Sequence, residues 1–267
     1  MDVLTTLEIV RRAGGVAEIR MSRPDVFNAF DEVMIGELAH VFGELATDPA
    51  IRVVVLAGVG RHFSAGADLH WMQRAAAATR EWNVHDSRRF AAMLSTIDRC
   101  PKPTIARVQG AALGGGVGLV CACDVAIAAH ESHFAISEVR FGILPAAIGP
   151  YLVNAVGPRH ARRLALSATR IDAAEALAIG LVHQTVPLAD LDAAIETTVR
   201  EMLQGGPHAQ REVKDLYAVL EVGAVTSDVR ELTAQTISRV RGGNEAREGF
   251  AAFLAKRRPG WDPSDED

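Results

Sequence analysis

The sequence predicts an α/β protein in which a strand-rich N-terminal part precedes a mostly helical C-terminal part. Two runs with strand character, Leu7–Arg12 and Val16–Met21, flank Ala-Gly-Gly and indicate a β-hairpin. The run Arg52–Ala57 (RVVVLA) has uninterrupted apolar residues, which is typical of a strand covered on both faces. From about Gly149 helical patterns dominate, so we expect one α/β core with a helical cap or oligomerisation arm.

The remaining elements follow from helix caps and periodicity. Asp31 is the expected N-cap of a helix that ends near Thr47, because apolar residues recur at helical spacing after it. Further predicted elements are a helix over 86–99, a strand over 104–109, a helix over 117–123, a strand over 124–129 and helices near 159–168, 172–179, 188–203, 208–222, 227–240 and 244–256. This pattern predicts a core over 1–200 and a helical oligomerisation region over 201–267.

Charge and composition argue against several classes of function. The chain has 28 basic and 33 acidic residues, whereas nucleic-acid-binding proteins show a basic footprint. No apolar run reaches the roughly 18–20 residues of a membrane span, and the first residues lack the pattern of a secretory signal. We therefore expect a soluble, cytoplasmic protein with no nucleic-acid partner and no membrane partner.

The cysteines and histidines indicate neither a disulfide framework nor a metal centre. The odd number of cysteines suits a reducing compartment. Cys121 and Cys123 lie two residues apart in a predicted helix, so their side chains point to different faces. The pair His130 and His133 matches no metal motif. We expect no metal, and we expect Cys121 and Cys123 to pack as buried small apolar residues.

Two glycine-containing loops, each between a strand and a helix, form the candidate functional site. The first is His62–Leu69 (HFSAGADL), and the second is Gly114–Gly116, at the start of a predicted helix. Glycines let a ligand approach the backbone closely, and the start of a helix leaves N–H groups free to meet negative charge. Two N–H groups aimed at one point would make an oxyanion hole. Either loop alone is also compatible with a purely structural turn.

Other site motifs do not fit these loops. The glycine run lacks the spacing of a dinucleotide-binding loop, and the chain has no G-x-x-x-x-G-K-[ST] phosphate loop. Ser64 is not in G-x-S-x-G, which argues against a serine hydrolase. Glu138 follows a short apolar strand that starts at Phe134; a lone glutamate there is either a surface group or a catalytic one.

The order of these segments resembles the enoyl-CoA hydratase/isomerase (crotonase) superfamily. The resemblance rests on FSAGADL, ARVQGAALGGGVGLVCACDVAIA and FAISEVRFGILPA, and it extends to SRPDVFNAF, RRLALSATRIDAAEALAIGLVHQTVP and EGFAAFLAKRRP. It implies a spiral of ββα units followed by helices that build a homotrimer, often paired into a hexamer. It also implies an acyl-CoA thioester substrate and an enolate-like anion, with no cofactor, since CoA enters as part of the substrate.

The resemblance assigns roles to residues of both loops. The backbone N–H groups of Ala67 and Gly115 match the two oxyanion donors. Val26 and the run Ala67, Asp68 and Leu69 resemble the segments that hold CoA. Asp68 is also a candidate loop-stabilising acceptor, because aspartate readily accepts hydrogen bonds from nearby backbone N–H groups.

Positive charge is expected near the CoA phosphates despite the acidic total. Arg23 and Arg61 lie beside the two proposed CoA segments in the sequence. Lys256 matches a C-terminal lysine that reaches CoA from a neighbouring subunit in some relatives. A basic group at a helix end also complements the helix dipole, so this match has a purely structural alternative.

Glu138 matches the second of two glutamates that hydratases of this superfamily use to move protons. The first would fall at position 118, where this chain has Gly118. Because glycine cannot bind water through a side chain, Glu138 serves both roles, another side chain compensates, or the reaction differs. The sequence favours hydration of a 2-enoyl-CoA. The alternatives are an isomerase with a single glutamate and a non-catalytic acyl-CoA-binding protein.

The acyl group expected from the resemblance is branched and carboxylated. The motifs look most like those of bacterial methylglutaconyl-CoA hydratases of leucine breakdown. A distal carboxylate would need a cationic partner, ideally arginine. Arg140 is the nearest candidate if 138–140 is extended, because positions two apart in a strand share a face. Arg74 and Arg107 are further candidates, and a surface ion pair is the alternative for each.

Overall fold

The computed structural model describes residues 4–220 and 225–263. Its strands are β1 (Leu7–Arg12), β2 (Val16–Met21), β3 (Val53–Gly58), β4 (Thr104–Val108), β5 (Ala111–Leu113), β6 (Val125–Ala129), β7 (His133–Ala135), β8 (Ile171–Asp172) and β9 (Gln184–Val186). Its helices are α1 (Glu32–Thr47), α2 (Leu69–Ala77), α3 (Arg80–Asp98), α4 (Gly115–Ala122), α5 (Gly149–Ser167), α6 (Ala173–Ala178), α7 (Leu191–Gln204), α8 (Pro207–Tyr217), α9 (Ser227–Arg241) and α10 (Asn244–Leu254).

The larger sheet has the strand order β1-β2-β3-β4-β6-β9. The hairpin of β1 and β2 is antiparallel, and β2, β3, β4, β6 and β9 pair in parallel. Side chains alternate between faces along β3, so Val54 and Leu56 join one apolar cluster while Val53 and Val55 join another. The predictions of a hairpin and of a strand covered on both faces are therefore confirmed.

A smaller sheet, β5-β7-β8, makes the fold a spiral. The chain passes from β4 in the large sheet to β5 in the small one, then through α4 back to β6 and on to β7. This repeat of two strands and a helix confirms the ββα architecture. It places the residues after β5 and β7 side by side, because these two strands pair in parallel.

The two faces of the larger sheet are covered by different helices. Helices α1, α3, α4 and α5 contribute to the larger apolar cluster. Helix α7 packs on the other face through Leu191, Ile195, Val199 and Leu203, which recur every four residues on one side of the helix. The division predicted at residue 200 falls inside this helix, which packs against the sheet along its length.

Two predicted helices begin well before the residues at which the sequence pattern placed their starts. Helix α3 begins at Arg80 rather than near 86, because Thr79 caps it by accepting a hydrogen bond from the Trp82 N–H. Its first turns are mostly exposed and polar, so periodicity could not reveal them. Helix α5 begins at Gly149 rather than near 159, and it kinks at Gly157, where φ is +73°. The dipeptide Gly157-Pro158 indicated the start of a helix, but in the structure it is a bend inside α5.

The cysteines are free thiols, and Cys100 and Cys123 are buried. The prediction of a small apolar core group is confirmed for Cys123, whereas Cys121 is only half-buried and packs against the same core. Within residues 4–220 and 225–263, no cluster of three or more His, Cys, Asp or Glu side chains is placed to hold a metal ion. None of the helices in this part of the chain is both long and apolar enough to cross a bilayer.

Candidate active site

The two glycine loops meet at one cavity of about 450 Å³. Its walls come from residues within 26–29, 65–72, 113–115 and 137–143. Ser64 connects the loops, since its N–H donates to the Ala111 carbonyl at 3.0 Å and its carbonyl accepts from the Leu113 N–H at 2.9 Å. The sheet pairing therefore fixes the relative position of both loops.

Gly66 lies where the first loop packs closely against the second. Its φ is +85°, and a Cβ at this position would lie 2.5 Å from the Leu113 carbonyl oxygen and 3.4 Å from the Gly115 nitrogen. The buried hydroxyl of Ser64 accepts from the Gly66 N–H at 3.1 Å and donates to the Asn28 carbonyl at 2.8 Å. Glycine is thus required both by conformation and by space.

The N–H groups of Ala67 and Gly115 have no backbone acceptor among the described residues. Gly115 is the first residue of α4, where the helix itself leaves N–H groups unpaired. Gly114, just before it, uses its own N–H on the Ala135 carbonyl at 2.8 Å. Both predicted oxyanion donors line the cavity and keep their hydrogen-bonding capacity for a ligand.

Two aromatic rings lie behind Gly115. A Cβ at this residue would lie 2.3 Å from Cζ of Phe30 and 3.1 Å from Cζ of Phe90. These two rings stack with centroids 5.2 Å apart. The backbone at 115 is therefore held against a rigid apolar wall, which leaves room for no side chain at this position.

Glu138 lies beside the start of α4. Its Oε1 is 3.2 Å from the place of a Cβ on Gly114. Its Oε2 is buried and has no hydrogen-bond partner among the described residues. Burial raises the pKa of Glu138 above its ordinary value, although the backbone N–H groups of Glu138 and Ser137 act in the opposite direction. A largely buried carboxylate that lines a cavity and has one oxygen without a hydrogen-bond partner among the described residues is a strong candidate for proton transfer.

The predicted orientation of Arg140 is wrong. Glu138–Phe141 forms a 3₁₀-helix instead of extended chain. With three residues per turn, position 141 rather than 140 lies on the face of Glu138. Phe141 accordingly lines the cavity, whereas Arg140 donates from Nη2 to the Ala168 carbonyl at 2.9 Å. Arg140 therefore contributes no charge to the cavity wall.

The other two arginines considered for a distal carboxylate also bind elsewhere. Arg74 donates to both carboxylate oxygens of Glu32, at 2.6 and 2.7 Å. Arg107 donates to Asp192 at 2.6 Å. Among the described residues, no lysine or arginine lines the cavity.

The proposed CoA segments form the mouth of the cavity. Val26 and Leu69 line it and are 40% and 64% exposed, so an arriving ligand can cover them. Asp68 caps α2 by accepting from the N–H groups of His70 and Trp71 at 2.8 and 3.2 Å. Burial opposes ionisation of Asp68, but these hydrogen bonds and Arg23 outweigh it and hold its pKa below the ordinary value. Asp68 thus stabilises the loop, as expected of such an acceptor.

Arg23 holds the segments at this mouth in place through two hydrogen bonds. Its Nη1 donates to the Ala29 carbonyl at 2.6 Å, and its Nη2 donates to Asp68 at 3.1 Å. Arg23 does not line the cavity, and neither does Lys256, which lies just after α10.

Sequence reasoning did not assign roles to several residues that shape the site. Asn28 is fully buried with φ at +54°, and its side chain donates to the carbonyls of Val59 and His62 at 2.9 Å each. Phe27 and Phe141 line the cavity, and Phe30 fixes Gly115. The signal for Phe27, Asn28 and Phe30 was the segment SRPDVFNAF, whose polar asparagine between apolar residues indicates a specific buried contact.

Gly118 faces Ile148. A Cβ at position 118 would lie 2.2 Å from Cγ2 and 2.9 Å from Cβ of Ile148. Ile148 is the residue before α5 and is 1% exposed. The position at which the resemblance expects a first glutamate therefore has no space for a side chain.

Comparison with known proteins agrees with this geometry. Residues 11–264 match the sequence model of the family described as Enoyl-CoA hydratase/isomerase. A short-chain-enoyl-CoA hydratase of Clostridium acetobutylicum is 33% identical over 207 residues, covering 75% of this chain and 77% of that protein. The structure of an enoyl-CoA hydratase from Shewanella pealeana superposes with a TM-score of 0.93 at 40% identity, covering 97% of this chain and 96% of that one. The structure of Pseudomonas aeruginosa AtuE superposes with a TM-score of 0.92 at 39% identity, covering 97% of this chain and 100% of that one. The chain therefore belongs to the enoyl-CoA hydratase/isomerase family, the crotonase superfamily.

Proposed function

We propose that the protein adds water across the double bond of a 2-enoyl-CoA, with Glu138 as the single proton-transfer group. The observation that carries this proposal is that, among the described residues, Oε2 of Glu138 is buried without a hydrogen-bond partner and lies in a cavity with two backbone N–H groups that have no acceptor. The family and the relatives named as hydratases make the protein an enoyl-CoA hydratase-type lyase.

In the proposed reaction the N–H groups of Ala67 and Gly115 bind the thioester oxygen. A water oxygen bonds to C3 while Glu138 takes one of its protons, and the electrons of the double bond move onto the thioester oxygen as an enolate. Glu138 then gives the proton to C2, the carbonyl forms again, and the carboxylate returns to its ionised state. The reaction only moves protons and adds water, so CoA, as part of the substrate, is the only cofactor-like group the proposal needs.

The CoA part of the substrate is assigned to the mouth of the cavity. The exposed apolar side chains of Val26 and Leu69 would cover the pantetheine arm, beside the loop that Asp68 and Arg23 hold in place. We propose the cytoplasm as the location, because the free, buried thiols of Cys100 and Cys123 suit a reducing compartment.

A homotrimer, alone or paired into a hexamer, is the assembly we propose. The C-terminal helices support it, because several of their large apolar residues are exposed: Tyr217 by 67%, Phe253 by 80% and Leu254 by 80%. Exposed apolar surface of this kind favours association. In such an assembly Lys256 would reach the CoA phosphates of a neighbouring subunit.

The proposal also covers which acyl group the substrate carries. The motif resemblance favours 3-methylglutaconyl-CoA, and its distal carboxylate would need a cation that this chain's described cavity wall lacks. We therefore assign that cation to the neighbouring subunit of the proposed trimer. An uncharged acyl group instead suits the apolar side chains of Phe27, Phe141 and Ile143 that line the cavity.

The experiment compares crotonyl-CoA with 3-methylglutaconyl-CoA, by loss of the enoyl-thioester absorbance and by the mass of the product. A hydratase consumes at least one of them and yields a product heavier by one water. A faster reaction with 3-methylglutaconyl-CoA supports the carboxylated acyl group, and a faster one with crotonyl-CoA contradicts it. No water addition to either, with a 3-enoyl-CoA converted at unchanged mass, would replace the hydratase by the isomerase. Binding of acyl-CoA without any conversion would leave a binding protein.

A further inference from the structure

One face of α4 starts beside Gly114, and one turn later the side chain of Ile148 covers this face at Gly118. Gly114, the N-cap of α4, and Gly118 are four residues apart, so they lie on the same side of the helix start, about 6 Å apart along its axis. At Gly114 this face meets Oε1 of Glu138, 3.2 Å from the place of a Cβ. At Gly118 it meets Cγ2 of Ile148, 2.2 Å from the place of a Cβ.

The fit between Gly118 and Ile148 is mutual. Gly118 is the fourth residue of α4 and is buried, and Leu94 of α3 closes the third side, with its Cδ2 3.7 Å from the place of a Cβ. Ile148 is 1% exposed, so its side chain fills space that the missing side chain at 118 leaves empty. In a close-packed interior neither residue can enlarge unless the other shrinks.

We propose that Gly118 and Ile148 act as one steric pair that determines the chemistry of the site by excluding a second carboxylate, and the water it would hold, from α4 next to Glu138. This inference rests on the proposed hydration and deepens it, because it makes Ile148 a specificity-determining residue outside the catalytic machinery. It follows that Gly118→Glu alone cannot supply a second carboxylate. Ile148→Gly must accompany it, since Ile148→Ala would leave a Cβ 2.9 Å from the place of the new one.

The steric half of the proposal is tested by thermal unfolding of Gly118→Ala, Ile148→Gly and the double variant. We expect each single change to lower Tm, and we expect Gly118→Ala to lower Tm much less in the Ile148→Gly background than in the wild type. Ile148→Ala in place of Ile148→Gly should rescue less. Gly43→Ala is the matched control, because Gly43 lies inside α1 with no atom within 4 Å of the place of its Cβ. We expect it to leave Tm unchanged or raise it. If the decrease in Tm of the double variant equals the sum of the decreases caused by the two single changes, the proposed steric pair is wrong.

The chemical half is tested with Gly118→Glu combined with Ile148→Gly. We expect the double variant to hydrate crotonyl-CoA at least about tenfold faster than Gly118→Glu alone, within the range that one acid/base group contributes. Its profile of kcat/KM against pH should show a second ionisation that Ile148→Gly alone lacks. A Gly118→Glu variant that is as stable as wild type and already shows the second ionisation would overturn the proposal. If no variant, wild type included, hydrates any enoyl-CoA, the proposed function fails, while the unfolding cycle still decides the pairing.

Discussion

Glu138→Gln is expected to lower kcat for hydration by about 10²–10⁴-fold, the range that general acid–base catalysis contributes. Glutamine has nearly the same shape but can neither accept the proton from water nor deliver one to C2. Because the change removes a charge from a buried site, acyl-CoA binding should stay within a few-fold of wild type. The measurements are kcat from the absorbance of the enoyl thioester and the dissociation constant of a saturated acyl-CoA.

The matched control is Glu44→Gln, which makes the same change at an exposed residue in the last turn of α1 that does not line the cavity. It should leave both quantities unchanged. A Glu138→Gln variant that retains its turnover would remove Glu138 from the reaction, and with it the proposed mechanism.

Gly66→Ala is expected to produce the second largest loss. A side chain here would force a residue with φ of +85° out of the left-handed region and away from the Leu113 carbonyl, 2.5 Å from the new Cβ. Both movements displace the Ala67 N–H, and loss of one oxyanion donor lowers kcat by about 10²–10³-fold. The strained backbone should also lower the free energy of unfolding by about 1–3 kcal/mol. Steady-state kinetics and urea unfolding measure the two effects.

The control variant Gly180→Ala separates the effect of backbone strain from the effect of moving the Ala67 N–H. Gly180 has a similar φ of +81°, but a Cβ there meets only the Ala155 carbonyl at 3.4 Å, and the residue does not line the cavity. It should lose stability and keep its kcat. Equal losses of kcat in the two variants would mean that strain alone, rather than the oxyanion donor, explains the result at Gly66.

The parts of the fold that could be predicted from sequence are those set by local chemistry. The hairpin around Ala-Gly-Gly, the helix capped by Asp31 and the strand RVVVLA all depend on residues within a few positions of one another. Helix α2 was missed, although Asp68 caps it, because the glycine-rich segment before it favoured a loop.

The candidate site was predictable where motifs specify backbone geometry and not where packing decides. The glycine loops and Glu138 could be found because their order in the chain is distinctive. The direction of Arg140 could not, since it depends on whether four residues form a strand or a 3₁₀-helix. The contact between Gly118 and Ile148 joins residues thirty positions apart, which no local pattern reveals.

The central claim is that one carboxylate with a raised pKa moves the proton, and the pH dependence of kcat/KM for crotonyl-CoA or 3-methylglutaconyl-CoA, whichever reacts faster, tests it most directly. Glu138 must be ionised to take the proton from water, and burial raises its pKa, so activity should fall as the pH is lowered through a value above the ordinary glutamate pKa of about 4.3. We predict a single acid limb of unit slope with its midpoint above that value. A limb that reports two ionisations, or activity that stays constant below the ordinary glutamate pKa, would contradict the account.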